Sequence, residues 1–145
     1  MKGFKFRLQK VLDIRLEKEE ESKRAFKEAQ RQKTLTEEKL EELKEKYKKY
    51  STEGINKTLI ERKITQNYLN ALTIFINDTI KELKKKEEIL DNKREELKQK
   101  QIERKTVEIL KEKQQQEFIK EQEFKEQKDN DEFALYGYIR NKEGG

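Results

Sequence analysis

Residues 51–61 read Ser-Thr-Glu-Gly-Ile-Asn-Lys-Thr-Leu-Ile-Glu, and this stretch decides how the chain folds. Gly54 is the only glycine between Gly3 and Gly137. A lone glycine after a long periodic stretch is a natural helix C-cap, because it accepts left-handed dihedrals without a Cβ penalty. Thr58 is followed three residues later by Glu61. That is the capping-box pattern, in which side chains satisfy two orphan amides at a helix start. A helix end followed at once by a helix start predicts a tight reversal. Expected elements are helix 1 over about residues 4–52, a turn over about 53–57 and helix 2 over about 58–128. Residues 129–145, DNDEFALYGYIRNKEGG, are left open between further helix and disorder.

Outward from the turn, both arms carry a heptad rhythm. Alternating steps of four and three visit Leu8, Leu12, Arg15, Glu19, Ser22, Phe26, Ala29, Lys33, Thr36, Leu40, Leu43, Tyr47 and Tyr50. A seven-residue step visits Leu69, Ile76, Leu83, Leu90, Leu97, Arg104, Lys111 and Phe118, with Leu72 three beyond Leu69. Such a repeat makes one narrow seam that is buried against another helix. Two such helices joined by a short turn are antiparallel neighbours. The fold class is therefore all-α, a single two-helix antiparallel coiled coil. Arg15, Glu19, Lys33, Lys86, Lys93, Arg104 and Lys111 fall on expected seam positions, where long side chains snorkel to water. With the turn centred near Ile55, residue i should lie level with about residue 110 − i. Helix 2 beyond about Ile109, with Phe118, Ile119 and Phe124, is then left without a partner in the chain.

Composition agrees. Hydrophobic residues are 31% and charged residues 46% of the 145, whereas a compact domain is about 45–50% apolar and 25% charged. The surplus residues are strong helix formers, and proline is absent. Long exposed helix accounts for these facts better than disorder, which favours Pro, Ser and Gly. The absence of Cys and His excludes disulfides, thiolate chemistry and imidazole catalysis. Gly54 cannot form a phosphate loop by itself, and Ser22 and Ser51 have no histidine to activate them. The reading is non-enzymatic, with no cofactor and no metal. The net charge of +5 is spread over interleaved signs, unlike the basic stripe of a nucleic-acid binder. No apolar run reaches the roughly 20 residues of a membrane span, and no direct membrane insertion is expected.

One region holds more apolar side chains than a seam uses. Residues 64–80 read ITQNYLNALTIFINDTI. Leu69, Leu72, Ile76 and Ile80 can fill the seam, while Tyr68 and Phe75 lie seven apart on an adjacent lane and Ile74 points elsewhere. Together with Tyr47 and Tyr50 they form an exposed aromatic patch for a partner, or they thicken the core beside the turn.

Residues 4–32, FKFRLQKVLDIRLEKEEESKRAFKEAQRQ, resemble the opening of the flagellar FliJ family. The match rests on Phe4, Phe6, Leu8, Gln9, Val11, Leu12 and Arg15, with the length, the midpoint turn and Asp131-Glu132 in support. The resemblance implies a cytoplasmic component of the flagellar type III export apparatus, held peripherally at the inner face of the membrane. It implies a stalk-like coiled coil that binds the export ATPase hexamer, couples it to the export gate and escorts export chaperones. By that similarity Phe4, Phe6, Leu8, Val11, Leu12, Phe118 and Phe124 would meet the ATPase ring. Lys39, Leu43, Tyr47, Tyr50, Tyr68, Leu72, Phe75 and Thr79 would meet the gate and the chaperones. Tyr47 stands one residue out of step with the family's usual aromatic. Such a stalk should be monomeric when free. The alternatives are a self-associating structural or holdase-like coiled coil, and the equivalent stalk of a virulence-type secretion system.

Overall fold

A computed structural model describes residues 3–53 and 57–144. It contains two α-helices, α1 (Gln9–Thr52) and α2 (Leu59–Glu143), packed against each other as a helical hairpin. The capping box is formed: the Thr58 amide donates to the Glu61 carboxylate at 3.4 Å and the Glu61 amide donates to Thr58 Oγ1 at 3.3 Å. At the close of α1, the Ser51 and Thr52 hydroxyls donate to the carbonyls of Lys48 and Lys49 at 2.9–3.1 Å. These bonds add side-chain donors to carbonyls of the last turns of α1. The proposed C-cap, Gly54, lies outside the described residues. The charged tail continues α2 to Glu143, through Gly137; no proline interrupts it.

Helix α1 begins at Gln9, five residues later than the expected start near residue 4. Burial over residues 4–8 alternates instead: Phe4, Phe6 and Leu8 are covered, and Lys5 and Arg7 are exposed. Residues 4–6 lie outside any helix, and a turn at Arg7 and Leu8, closed by the Gln9 amide donating to the Phe6 carbonyl at 3.1 Å, leads into α1. The stretch also lacks a Ser, Thr, Asp or Asn to cap an earlier helix start. Gly3 adopts φ +98°, in the left-handed region that other residues enter only with strain.

The chain divides into two compact units. The first comprises Met1–Glu17 with Ile102–Gly145. Its core is Phe6, Leu12 and Val107, with Phe4, Leu8 and Val11 packed against it. The Phe4 and Phe118 rings meet at 5.6 Å between centroids. The second comprises Lys18–Gln101, and it buries Ala29, Leu40, Leu69, Leu72 and Leu90. Covered α1 positions in it include Ser22, Phe26, Ala29, Lys33, Thr36, Leu40 and Leu43, and covered α2 positions include Leu69, Leu72, Ile76, Thr79, Leu83, Lys86, Leu90, Lys93 and Leu97. These follow the alternating three-and-four spacing of a coiled-coil seam.

The register differs from the sequence expectation. In the second unit Tyr50 meets Tyr68, Lys39 meets Glu82 and Phe26 meets Arg94. In the first, Arg15 meets Glu103, Gln9 meets Lys111 and Phe4 meets Phe118. Facing residues thus follow about 120 − i, a shift of roughly ten residues. The cause is the asymmetry at the turn. Past the Tyr50–Tyr68 level α1 has only Ser51 and Thr52, whereas α2 has residues 59–67. The first turns of α2 therefore stand about 10 Å beyond the end of α1.

Candidate partner-binding surfaces

The second unit carries the aromatic surface. Tyr50 and Tyr68 stack edge-on, with ring centroids 4.9 Å apart and planes at 75°, a favoured aromatic geometry. Tyr47, Tyr68, Ile74 and Phe75 are exposed, and Leu43 and Tyr50 are half-buried. Lys39 reaches across to Glu82 at 3.7 Å from a largely exposed position. Leu72 and Thr79 are different. Each is only 3% exposed, so both belong to the seam. Thr79 takes the seam position that the sequence reading gave to Ile80, which faces outward. Its hydroxyl donates to the Phe75 carbonyl at 2.7 Å, which lets a polar residue sit in a dry seam. Thr36 does the same through the Gln32 carbonyl at 3.0 Å.

The first unit holds the other predicted surface. Phe6 and Leu12 are buried, so they build the core of that unit and leave contact to their neighbours. Phe4, Leu8 and Val11 are half-buried around them. Phe118 is half-buried against Phe4, so α2 keeps a partner well beyond Ile109. Residues 119–143 are exposed without interruption, a single helix of roughly 37 Å carrying Phe124 and the run Phe133 to Ile139.

The polar seam positions of this unit are bridged. Arg15 Nη1 donates to the Glu103 carbonyl at 2.8 Å, and Lys111 Nζ donates to Gln9 Oε1 at 2.7 Å. Arg104 pairs with Glu108 at 2.7 Å. In the second unit Glu19, only 3% exposed, is approached by Lys23 at 3.7 Å. Among the described side chains no buried polar atom lacks a hydrogen-bond partner. On the exposed face of α1, Glu28 accepts from Arg31 at 2.7 and 3.1 Å and from Gln32 at 3.0 Å. The Arg31 bonds, then the Gln32 bond, hold its pKa near about 2. Among the described residues no three side chains are grouped to hold a metal ion, and no helix is long and apolar enough to cross a membrane.

Three hydrophobic residues at the turn end, Leu59, Ile60 and Ile64, are not singled out by sequence reasoning. Their exposure depends on the register. Had α2 paired from its first residue, these side chains would have had α1 beside them.

A family model described as Flagellar FliJ protein matches residues 4–143. A solved structure of a YscO homolog from Chlamydia trachomatis superposes on 98% of this chain and 99% of that one, with TM-score 0.55 and 19% identity. That likeness concerns the fold. No curated protein matches the chain at a significant level.

Proposed function

This chain belongs to the FliJ family of flagellar proteins, which makes it a component of type III export, and from that premise we propose that it acts as a non-enzymatic stalk binding an export ATPase hexamer. One observation carries the proposal. Residues 133–139 read FALYGYI, and at about 100° per residue their side chains ring the helix. Phe133, Leu135, Tyr136, Tyr138 and Ile139 are all exposed. A helix apolar on every side belongs in surroundings that cover every side. A closed ring of subunits offers such a socket, and a flat interface does not. Beyond the polar stretch 125–132, Phe124, Phe118 and Phe4 add further apolar side chains closer to the core of the first unit. Phe6, Leu8, Val11 and Leu12 hold that surface in place from beneath.

In the same reading the second unit presents Lys39, Leu43, Tyr47, Tyr50, Tyr68 and Phe75 to the cytoplasmic part of the export gate and to export chaperones, with Leu72 and Thr79 supporting them from the seam. Exposed aromatics beside half-buried aliphatics are typical of binding hot spots. The protein would work on the cytoplasmic side, as its family does, and be monomeric when free.

The test is co-purification of the ATPase with the full chain, together with its turnover and assembly state. Wild-type protein should bind and should promote hexamer assembly. Phe133→Ser with Tyr136→Ser should lose that binding at least about tenfold while helix content stays unchanged. Equal binding by the double variant removes the socket. A stable dimer by light scattering would favour the self-associating alternative, because the lone helix could then be covered by a second copy.

A further inference from the structure

The turn end of the second unit combines two features that the stalk reading does not use. The first is uncovered aliphatic surface. Leu59 is 84% exposed, Ile60 74% and Ile64 63%, on the turns of α2 that stand beyond the end of α1. The second is charge. Residues 44–66 contain seven basic residues (Lys44, Lys46, Lys48, Lys49, Lys57, Arg62, Lys63) and three acidic ones (Glu45, Glu53, Glu61). Seven minus three is +4, in a chain whose whole net charge is +5. Residues 1–33 form a second positive region, with 11 basic and 6 acidic residues, and the remainder of the chain is net acidic.

The cations at this end are also available. Among the described residues Lys44, Lys48, Lys49, Arg62 and Lys63 make no ion pair and are exposed, Lys49 lying over the Tyr50 ring at 5.9 Å. Glu61, one of the three acids, is occupied with the Thr58 amide in the capping box. Helix α2 then runs from Ile64 to Asn77 without a charged residue, so the aliphatic tip grades into the Tyr68 and Phe75 lane.

We propose that this end docks on the surface of an anionic lipid bilayer, with Leu59, Ile60 and Ile64 entering the headgroup layer and the basic residues around them held by lipid phosphates. The chemistry favours a bilayer over an acidic protein. The aliphatic side chains lie at a protruding end, and a bilayer receives such an end without a preformed pocket. Apolar insertion and attraction to anionic headgroups add together in peripheral binding of this kind. Basic residues near an anionic leaflet are attracted within a screening length of it, and long lysine stems let the aliphatic tip sink while the ammonium groups remain at the phosphates. The contact is peripheral, because no described helix can span a bilayer. It is independent of ATPase binding, which uses the other unit.

The experiment is flotation of the full chain with vesicles. The chain should float with vesicles containing phosphatidylglycerol and bind pure phosphatidylcholine vesicles at least about tenfold less. Raising salt from about 0.1 M to about 0.5 M should weaken binding severalfold. Leu59→Asn, Ile60→Asn and Ile64→Asn together should reduce binding about tenfold with helix content unchanged, as should Lys48→Gln, Lys49→Gln, Arg62→Gln and Lys63→Gln together. Phe133→Ser with Tyr136→Ser should bind vesicles like the parent. The chain has no tryptophan, so Ile60→Trp supplies a single probe, whose emission should shift to the blue on anionic vesicles. Failure to float, equal binding to neutral vesicles, unchanged binding by the tip variants, or loss through the Phe133 and Tyr136 variant would each overturn the proposal. So would tip variants that bind vesicles normally but lose an acidic soluble protein, which would reassign the surface to that protein.

Discussion

Replacing Leu72 with alanine tests most directly which face of α2 forms the seam. Leu72 is the most buried leucine of the second unit, at 3% exposure, and it sits next to the aromatic lane that the function reading assigns to partners. Truncation removes about three methylene-sized groups from a dry environment, at about 0.8 kcal/mol each, or roughly 2.4 kcal/mol. Large-to-small changes in full cores cost about 2–5 kcal/mol because a cavity remains. A two-helix seam is thin and open at its edges, so it collapses more readily, and the lower end of that range applies. Leu72→Ala should therefore cost about 2–3 kcal/mol, lowering the thermal midpoint by roughly 10 °C. Tyr68→Ala, one turn away, removes an exposed ring and its edge-on contact with Tyr50, worth about 1 kcal/mol. Denaturant titration followed by far-UV circular dichroism measures both. If Leu72→Ala costs less than about 1 kcal/mol, Leu72 does not lie in the seam and α2 turns another face toward α1. If Tyr68→Ala matches Leu72→Ala in cost, the tyrosine is core and the aromatic surface loses its claim to a partner.

Other substitutions address single features. Arg15→Leu exchanges a seam cation for a hydrophobe; stability should rise by about 1 kcal/mol while the bond to the Glu103 carbonyl is lost, and a fall would show that this bond outweighs the cost of a cation there. Gly3→Ala forces a side chain onto φ +98° at a cost of about 1 kcal/mol, and trypsin should then cut at Lys5 and Arg7 severalfold faster; an unchanged rate would mean that the segment does not depend on this conformation. The folded-state pKa of Glu28, about 2, lies below its ordinary value, so its contribution is present above pH about 4.5 and disappears as pH falls toward 2. Glu28→Gln should remove that small part of the acid dependence. Because Glu28 is fully exposed, salt at about 1 M should weaken the effect, and an acid transition identical in the variant would show that the pair contributes nothing.

Several residues show where sequence patterning succeeds and where it stops. The α1 positions stepping by four and three from Leu8 to Leu43 are covered in the structure, because a seven-residue period leaves a helix only one apolar edge to bury. Thr79 and Ile80 go the other way. Hydrophobicity favours Ile80, but an unbroken three-and-four spacing from Leu69 requires position 79. The hydroxyl satisfies itself on its own helix, so the geometry prevails. Among the proposed contact residues, Tyr68 and Phe75 are free to meet a partner, while Leu72, Thr79, Phe6 and Leu12 are packed inside.

Helix-forming composition, the absence of proline, the heptad period and the capping box at Thr58 are local properties, and they determine by themselves that this chain makes two long helices folded back on each other. Level pairing is not local. Moving one helix along the other by whole heptads keeps leucines against leucines in much of a thin, repetitive seam, so many registers look alike from the sequence. Specific contacts discriminate among them: the Tyr50–Tyr68 rings, the Arg15 bond to the Glu103 carbonyl, and the tilted Phe4–Phe118 ring contact. Tertiary structure alone decided these, and with them which apolar residues stayed exposed at either end.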